Sequence, residues 1–176
     1  MVLNYYCAII IFMGRKWDNY LWLGLRLTLG LIFLWAFFDK LFGLGFSTTA
    51  SKAWINGGSP TIGFLGNAVT GPLTSFYHWL SNYSFVIDWF WMLGLLFVGV
   101  SLTFGIALRL GSYAGAVLMF LAWTALIPPT TNPVLDEHVV YIFSLLLLSS
   151  SKAAYYFGLG KWWSKFKFVK KYPVLK

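Results

Sequence analysis

Charge is scarce in this chain: 10% of its 176 residues are charged and 59% are hydrophobic. Soluble domains carry about 25% charged residues. That shortage, with a mean hydropathy of +0.72, excludes a soluble globular protein. Cysteine occurs once, at Cys7, which excludes an intrachain disulfide, a CxxC redox pair and a cysteine-rich metal or iron–sulfur site. Histidine occurs twice, as His78 and His138. They do not face each other within spans, so no haem is expected, and no metal either, because three adjacent helix positions such as Asp136, Glu137 and His138 diverge. There is no P-loop, no Rossmann fingerprint, no ordered Ser/His/Asp set, no internal repeat and no long polar linker.

What the chain does contain is apolar runs. Residues 17–42, 85–108, 112–127 and 138–157 each approach the roughly 20 apolar residues that cross a bilayer. Threaded alternately, they place Arg15, Lys16, Arg109 and the lysines from Lys161 onward on one side. Asp39, Asp88, Asp136 and Glu137 fall on the other. Excess Lys and Arg marks the cytoplasmic side. The expectation is an all-α, multi-pass cell-membrane protein with both termini cytoplasmic, built as a four-helix transmembrane bundle. Residues 43–84 form an extracytoplasmic segment of short helices between the first two spans.

A single domain covers 1–176, with 1–16 as an N-terminal stub and 158–176 as a basic cytoplasmic tail. Residues 1–13 are apolar but too short to span, and their basic residues follow rather than precede them, unlike a signal peptide. The net charge of +8 is concentrated: six of thirteen basic residues lie at Lys161, Lys165, Lys167, Lys170, Lys171 and Lys176. A juxtamembrane basic tail suits anionic lipid rather than nucleic acid.

Local signals place the boundaries. Trp17, Tyr20 and Trp22 form an aromatic girdle, and Gly43 and Gly45 end the first span. Within the outer segment, Gly71 as N-cap and Pro72 at the first helical position predict a helix with Leu73, Phe76, Tyr77 and Leu80 on one face. Ser84 is read as the cap of the second span, which places Asp88 in its first turn. A short turn at 109–111 makes spans two and three antiparallel neighbours, and Gly111 with Gly115 allows close packing. Pro128, Pro129 and Pro133 close the third span, and Trp162 and Trp163 anchor the exit of the fourth.

Ionisable residues within or at the mouth of spans are costly and usually functional. Asp39 lies near the C-terminal end of its helix, where the macrodipole disfavours an anion, so it is read as functional. Asp88 and Asp136, at helix N-termini, serve either as caps or as part of an acidic outer cluster. Arg26 lies roughly 13 Å into the first span at about 1.5 Å per residue and should face the bundle, a cavity or a ligand. It shares a face with Gly30, Phe33, Phe37 and Lys40. Glu137, Tyr141, Ser144, Leu148 and Ser151 form a stripe expected to face inward, and His138, beside two acids, is a candidate proton carrier.

Several blocks carry a resemblance. The first is Leu31-Ile32-Phe33-Leu34-Trp35-Ala36-Phe37-Phe38-Asp39-Lys40-Leu41-Phe42-Gly43. The others are Asp88-Trp89 with Met92-Leu93-Gly94-Leu95-Leu96, Gly105-Ile106-Ala107-Leu108-Arg109-Leu110, and Asn132-Pro133-Val134-Leu135-Asp136-Glu137-His138. Over residues 21–163 the chain resembles the DoxX/DoxD membrane-protein family, most closely its archaeal thiosulfate:quinone oxidoreductase branch. The resemblance implies a four-helix membrane subunit that works with a DoxA-type small subunit, oxidises thiosulfate to tetrathionate and reduces a membrane quinone. On that expectation Asp39, Glu137 and His138 are the catalytic, proton-relaying residues. Lys40, Arg26, Asp88, Asp136, Trp35 and Tyr141 bind substrate. Lys40, Lys52 and a protonated His138 are the cations available to thiosulfate, and Trp35, Phe33, Tyr141 and Trp123 line a quinone slot. The alternative is a non-catalytic accessory subunit of a terminal quinol oxidase complex.

Overall fold

The computed structural model describes residues 2–129, 132–151 and 157–175, with side chains from Trp17 onward, Pro173 apart. The described residues are helical and irregular. Helix α1 runs Val2–Phe42, α2 Thr74–Ser81, α3 Ser84–Phe104, α4 Leu108–Ala125, α5 Glu137–Ser150, α6 Gly160–Trp163 and α7 Lys167–Lys171. Three of them hold a stretch long and apolar enough to cross a membrane: Trp17–Phe42 within α1, α3 and α4. This is the composition of a membrane protein.

Helices α1 and α3, α3 and α4, α4 and α5, and α5 and α1 pack against one another. Their shared core contains Leu29, Phe33, Met92, Val98, Leu102, Leu108, Leu145 and Leu148. With little hydrophobic driving force available between helices in lipid, close approach of small residues is what draws such helices together. Gly111 shows this: a Cβ there would lie 2.4 Å from the Cβ of Ser101 on α3, and one at Gly115 would lie 2.9 Å from Val98. The Gly111/Gly115 pair therefore belongs to the α3–α4 contact within the chain.

Several boundaries differ from expectation. The α3–α4 turn lies at 105–107, with Gly105 at φ +72°, so Arg109 and Gly111 fall inside α4. Helix α2 starts at Thr74, and Gly71 (φ +78°) is a turn residue whose hydroxyl-capped carbonyl accepts from Thr74 at 2.7 Å. A glycine is required there for space as well, because a Cβ would overlap the Ile127 carbonyl oxygen. Tyr83 rather than Ser84 occupies the N-cap of α3, which moves Asp88 into the second turn. The backbone of 2–16 continues α1 without a break, so the segment read as a stub is helical in line with the first span.

The fourth helix is the largest departure. Helix α5 has 14 residues, about 21 Å at ~1.5 Å per residue, short of the ~30 Å hydrocarbon core. Of the remainder of the run read as a fourth span, Ser151 and Phe157 are not helical, and 152–156 lie outside the described residues. The inward face of α5 is also rotated from the expected stripe. Leu145, Leu148 and Ser149 are buried, Tyr141 and Ser144 are half-buried, and Glu137 is exposed. The buried Ser149 hydroxyl donates to the Leu146 carbonyl of its own helix at 2.7 Å, so it needs no partner across the interface.

Most charges sort to two ends, with Lys40 and Lys52 at the acidic end as exceptions. Asp39, Asp88, Asp136 and Glu137 gather where residues 43–83 and the α4–α5 loop close the structure, the acidic end. Arg26, Arg109 and the C-terminal lysines lie at the opposite, basic end, together with the exposed Asp18. At the basic end the tail is folded: Val169 is buried, Trp163 Nε1 donates to the Leu175 carbonyl at 2.6 Å, and Trp163, Phe166 and Phe168 contact ring to ring.

Candidate functional site: a cavity at the acidic end

Two carboxylates hold residues 43–83 onto the helices. Asp39, 1% exposed, accepts the Phe46 N–H on Oδ1 at 3.2 Å. Its Oδ2 accepts the Ser47 N–H at 2.9 Å and the Ser47 hydroxyl at 2.6 Å. Asp88, 5% exposed, accepts on Oδ1 the Ser59 hydroxyl at 2.9 Å, the Thr61 N–H at 3.0 Å and the Thr61 hydroxyl at 2.6 Å. A buried charge is tolerable when hydrogen bonds replace its hydration, and here the donors come from the segment that must be anchored. Asp39 thus answers the question its helix position raised. It compensates the exit of the chain from α1 by capturing the backbone that follows the Gly43 turn.

The α4–α5 loop is fixed by the residues of the Asn132–His138 block. Asn132 Oδ1 accepts the Val134 and Leu135 N–H groups at 2.9 and 3.0 Å, and Trp123 Nε1 donates to the Val134 carbonyl at 2.9 Å. Asp136 is the N-cap of α5, its Oδ1 accepting the His138 N–H at 3.0 Å, as a helix N-terminus favours. Its Oδ2 lies 2.8 Å from His138 Nδ1. A carboxylate oxygen accepts, so Nδ1 donates, and Nε2 is the ring nitrogen left for the cavity.

Between these features lies a cavity of about 310 Å³, at the small end of the ~300–1,000 Å³ typical of small-molecule sites. Its walls are Lys40 of α1, Ile87 and Trp91 of α3, Met119, Leu121 and Ala122 of α4, and His138 of α5. Its roof is Pro60, Thr61, Phe64, Leu65, Phe76, Tyr77 and Leu80. The roof is tied down over α4: Tyr77 donates its hydroxyl to the Leu121 carbonyl at 3.0 Å and pairs with the Thr124 hydroxyl at 2.6 Å, and Thr70 N–H donates to the Ala125 carbonyl at 3.0 Å. The Thr61 and Tyr77 hydroxyls are therefore already engaged. Among the described residues, Lys40, His138 and Trp91 are the members of the lining whose side chains keep a polar group not engaged in these bonds. Phe76 and Leu121 are the strongly exposed members of the wall and border its mouth.

The expected site residues are distributed differently from the sequence reading. Lys40 and His138 line the cavity, and Asp136 reaches it through His138. Asp39 turns to its loop and Glu137 to the surface, so Asp39, Glu137 and His138 do not meet there. Asp88 touches the cavity only through Thr61. Trp35 is exposed and sits edge-on to Phe46 at 5.0 Å. It precedes Lys40 by five helix positions, which turns it well away from that face. Phe33 and Tyr141 pack in or against the main core, Trp123 braces the loop, and Lys52 is on the surface. The ring walls are instead Trp91, Phe64, Phe76 and Tyr77. Ile87 and Trp91 stand at i, i+4 on α3, a spacing readable in the sequence. The folding of 60–80 over α4 had no local signal.

Arg26 belongs to the other end. It is 1% exposed, and Nη1 donates to the Phe157 carbonyl at 2.6 Å. Gly105 and Gly158, both at positive φ, leave it room: a Cβ at Gly105 would lie 2.8 Å from Nη1 and one at Gly158 3.2 Å from Nη2. Leu159 N–H donates to the Phe104 carbonyl at 2.9 Å. Arg26 therefore joins α1 to the α3–α4 turn and to the chain beyond α5, about 21 Å along α1 from Lys40 at ~1.5 Å per residue. It does not bind an occupant of the acidic-end cavity.

Among the described residues no group of three His, Cys, Asp or Glu side chains gathers as metal ligands. No protein-family model, characterised protein or solved structure matches the chain.

Proposed function

We propose that this chain is the membrane subunit of a thiosulfate:quinone oxidoreductase and that the acidic-end cavity receives the quinone ring. The observation that carries this reading is convergence. Lys40 and His138 come from the two most distinctive blocks, far apart in sequence, and both line one apolar cavity. An apolar enclosure with a few convergent polar groups is what a ring bearing two carbonyls needs. The overall reaction balances as two thiosulfate ions giving one tetrathionate and two electrons, while a quinone takes up two electrons and two protons to become a quinol. His138, oriented by Asp136, supplies a proton at the ring oxygen. The DoxA-type subunit completes the thiosulfate side, where Lys52 lies on the exposed surface. Thiosulfate-dependent quinone reduction by the purified chain with its co-purifying partner tests the reading. Turnover is the expected result, and its complete absence in a folded complex would overturn it.

The second reading, an accessory subunit of a terminal quinol oxidase complex, draws on the carboxylates. Asp39 and Asp88 act as structural anchors, and a subunit without turnover needs no more from them. It predicts co-purification with oxidase subunits and no thiosulfate oxidation.

The topology proposed with this function has four crossings and both termini in the cytoplasm. Supporting the fourth crossing, His138 sits at the acidic end while Phe157 meets Arg26 at the basic end, so the chain traverses the structure between them. The orientation follows the basic end. With Cys7 replaced by Ser, single cysteines at the exposed positions Lys52 and Lys170 report sidedness. An impermeant thiol reagent added to whole cells should label the first and spare the second. The opposite pattern would invert the orientation.

A further inference from the structure

Lys40 is an ammonium in an apolar wall with no hydrogen bond or ion pair among the described residues. Among the described residues no carboxylate lies within ion-pair distance of it. Asp39, its chain neighbour, attracts it at longer range, but both Asp39 oxygens accept from Phe46 and Ser47. Asp136 holds His138, Asp88 Oδ1 holds Ser59 and Thr61, and Glu137 is exposed. A cation facing apolar groups is costly until an anion meets it. With Nδ1 donating to Asp136, His138 Nε2 donates only when its ring is protonated. Either donor can serve a neutral ring carbonyl, but each pairs more strongly with a ring that carries an oxyanion.

We propose that the cavity selects the anionic form of its ligand: a flat, mostly apolar ring carrying one ionised oxygen, such as a hydroxyquinone, with that oxygen against Lys40. This rests on the quinone reading and narrows it, assigning Lys40 as the residue that sets charge preference. The same contact holds negative charge that develops on a quinone oxygen, so one residue serves selection and stabilisation. Charge-assisted hydrogen bonds contribute about twice what neutral ones do.

The test uses two rings of nearly equal size on the full-length chain in lipid nanodiscs: 1,4-naphthoquinone, which is neutral, and 2-hydroxy-1,4-naphthoquinone, which is ionised at neutral pH. Binding is measured calorimetrically, with quenching of tryptophan fluorescence as a second readout. The hydroxylated ring should bind at least about tenfold more tightly to the native protein, as one charge-assisted bond implies. Lys40→Gln should abolish that preference while the neutral ring still binds, and Lys40→Arg should keep it. Equal binding of both rings to the native protein, which needs no variant, overturns the proposal and leaves the quinone reading standing. So does a preference that survives in Lys40→Gln. If neither ring binds the native protein, the quinone reading falls and this inference with it.

Discussion

Replacing Asp39 with Asn is expected to destabilise the protein nearly as much as replacing it with Ala. The carboxylate accepts three hydrogen bonds from Phe46 and Ser47 while 1% exposed. An amide keeps one accepting oxygen but turns an NH₂ toward donors, so a favourable contact becomes donor against donor. Leaving buried donors unsatisfied costs about 1–3 kcal/mol each, and a total on the order of 3 kcal/mol or more places these variants among the severe ones. Thermal unfolding in detergent should show a lowered midpoint for both, and limited proteolysis should cut faster within residues 43–60. Were Asp39 a titrating relay, Asn would leave assembly intact and lower only turnover. A stable Asp39→Asn protein with depressed activity would restore that role and remove the anchoring one.

The second large effect is expected at His138. His138→Gln keeps a polar side chain of similar length but cannot carry a proton across neutral pH. Thiosulfate-dependent quinone reduction should fall by about 10²–10⁴-fold, the range of general acid–base contributions. Asp136→Asn should cost less, because it loosens the ring's orientation and tautomer without removing the imidazole. Asp136 is thus a positioning residue, and its signature is a partial loss of kcat that Asp136→Glu, which keeps the accepting carboxylate, should restore in part. Assembly with the partner subunit should be unchanged in both variants. Full activity of His138→Gln across the pH range would leave the cavity without a proton donor and favour the accessory-subunit reading.

The difference between these two sites shows where sequence reasoning reached its limit. Asp39 and His138 were both legible as unusual: one carboxylate at the wrong end of a helix dipole, one histidine between acids and an apolar run. What neither position discloses is the direction of the side chain. Asp39 and Lys40 are adjacent, yet about 100° of helix rotation sends one to the Ser47 loop and the other to the cavity. Glu137 and His138 divide in the same way between surface and interior. Trp35 was expected in the ring slot as an aromatic residue, and the five helix positions between it and Lys40 turn it outward.

Composition and run length alone determined that this is an all-helical membrane protein, because a chain so poor in charge has no polar surface with which to meet water. The sorting of most acids and bases to opposite ends followed from the order of the runs, since the chain reverses direction between successive long helices. The Asp136 cap and the Gly111/Gly115 contact were equally local, governed by a helix N-terminus and by the absence of a Cβ. Tertiary structure decided the rest. Arg26 was placed against Phe157 and residues 60–80 were laid over α4 by contacts between segments distant in the chain. Such contacts depend on how helices rotate and how loops are anchored, and no period within a single helix encodes that. The roof of the cavity is held by Asp88 at Thr61 and by Tyr77 and Thr70 on α4, and Lys40 of α1 and His138 of α5 came to line one cavity through helix packing and not through any pattern in the sequence.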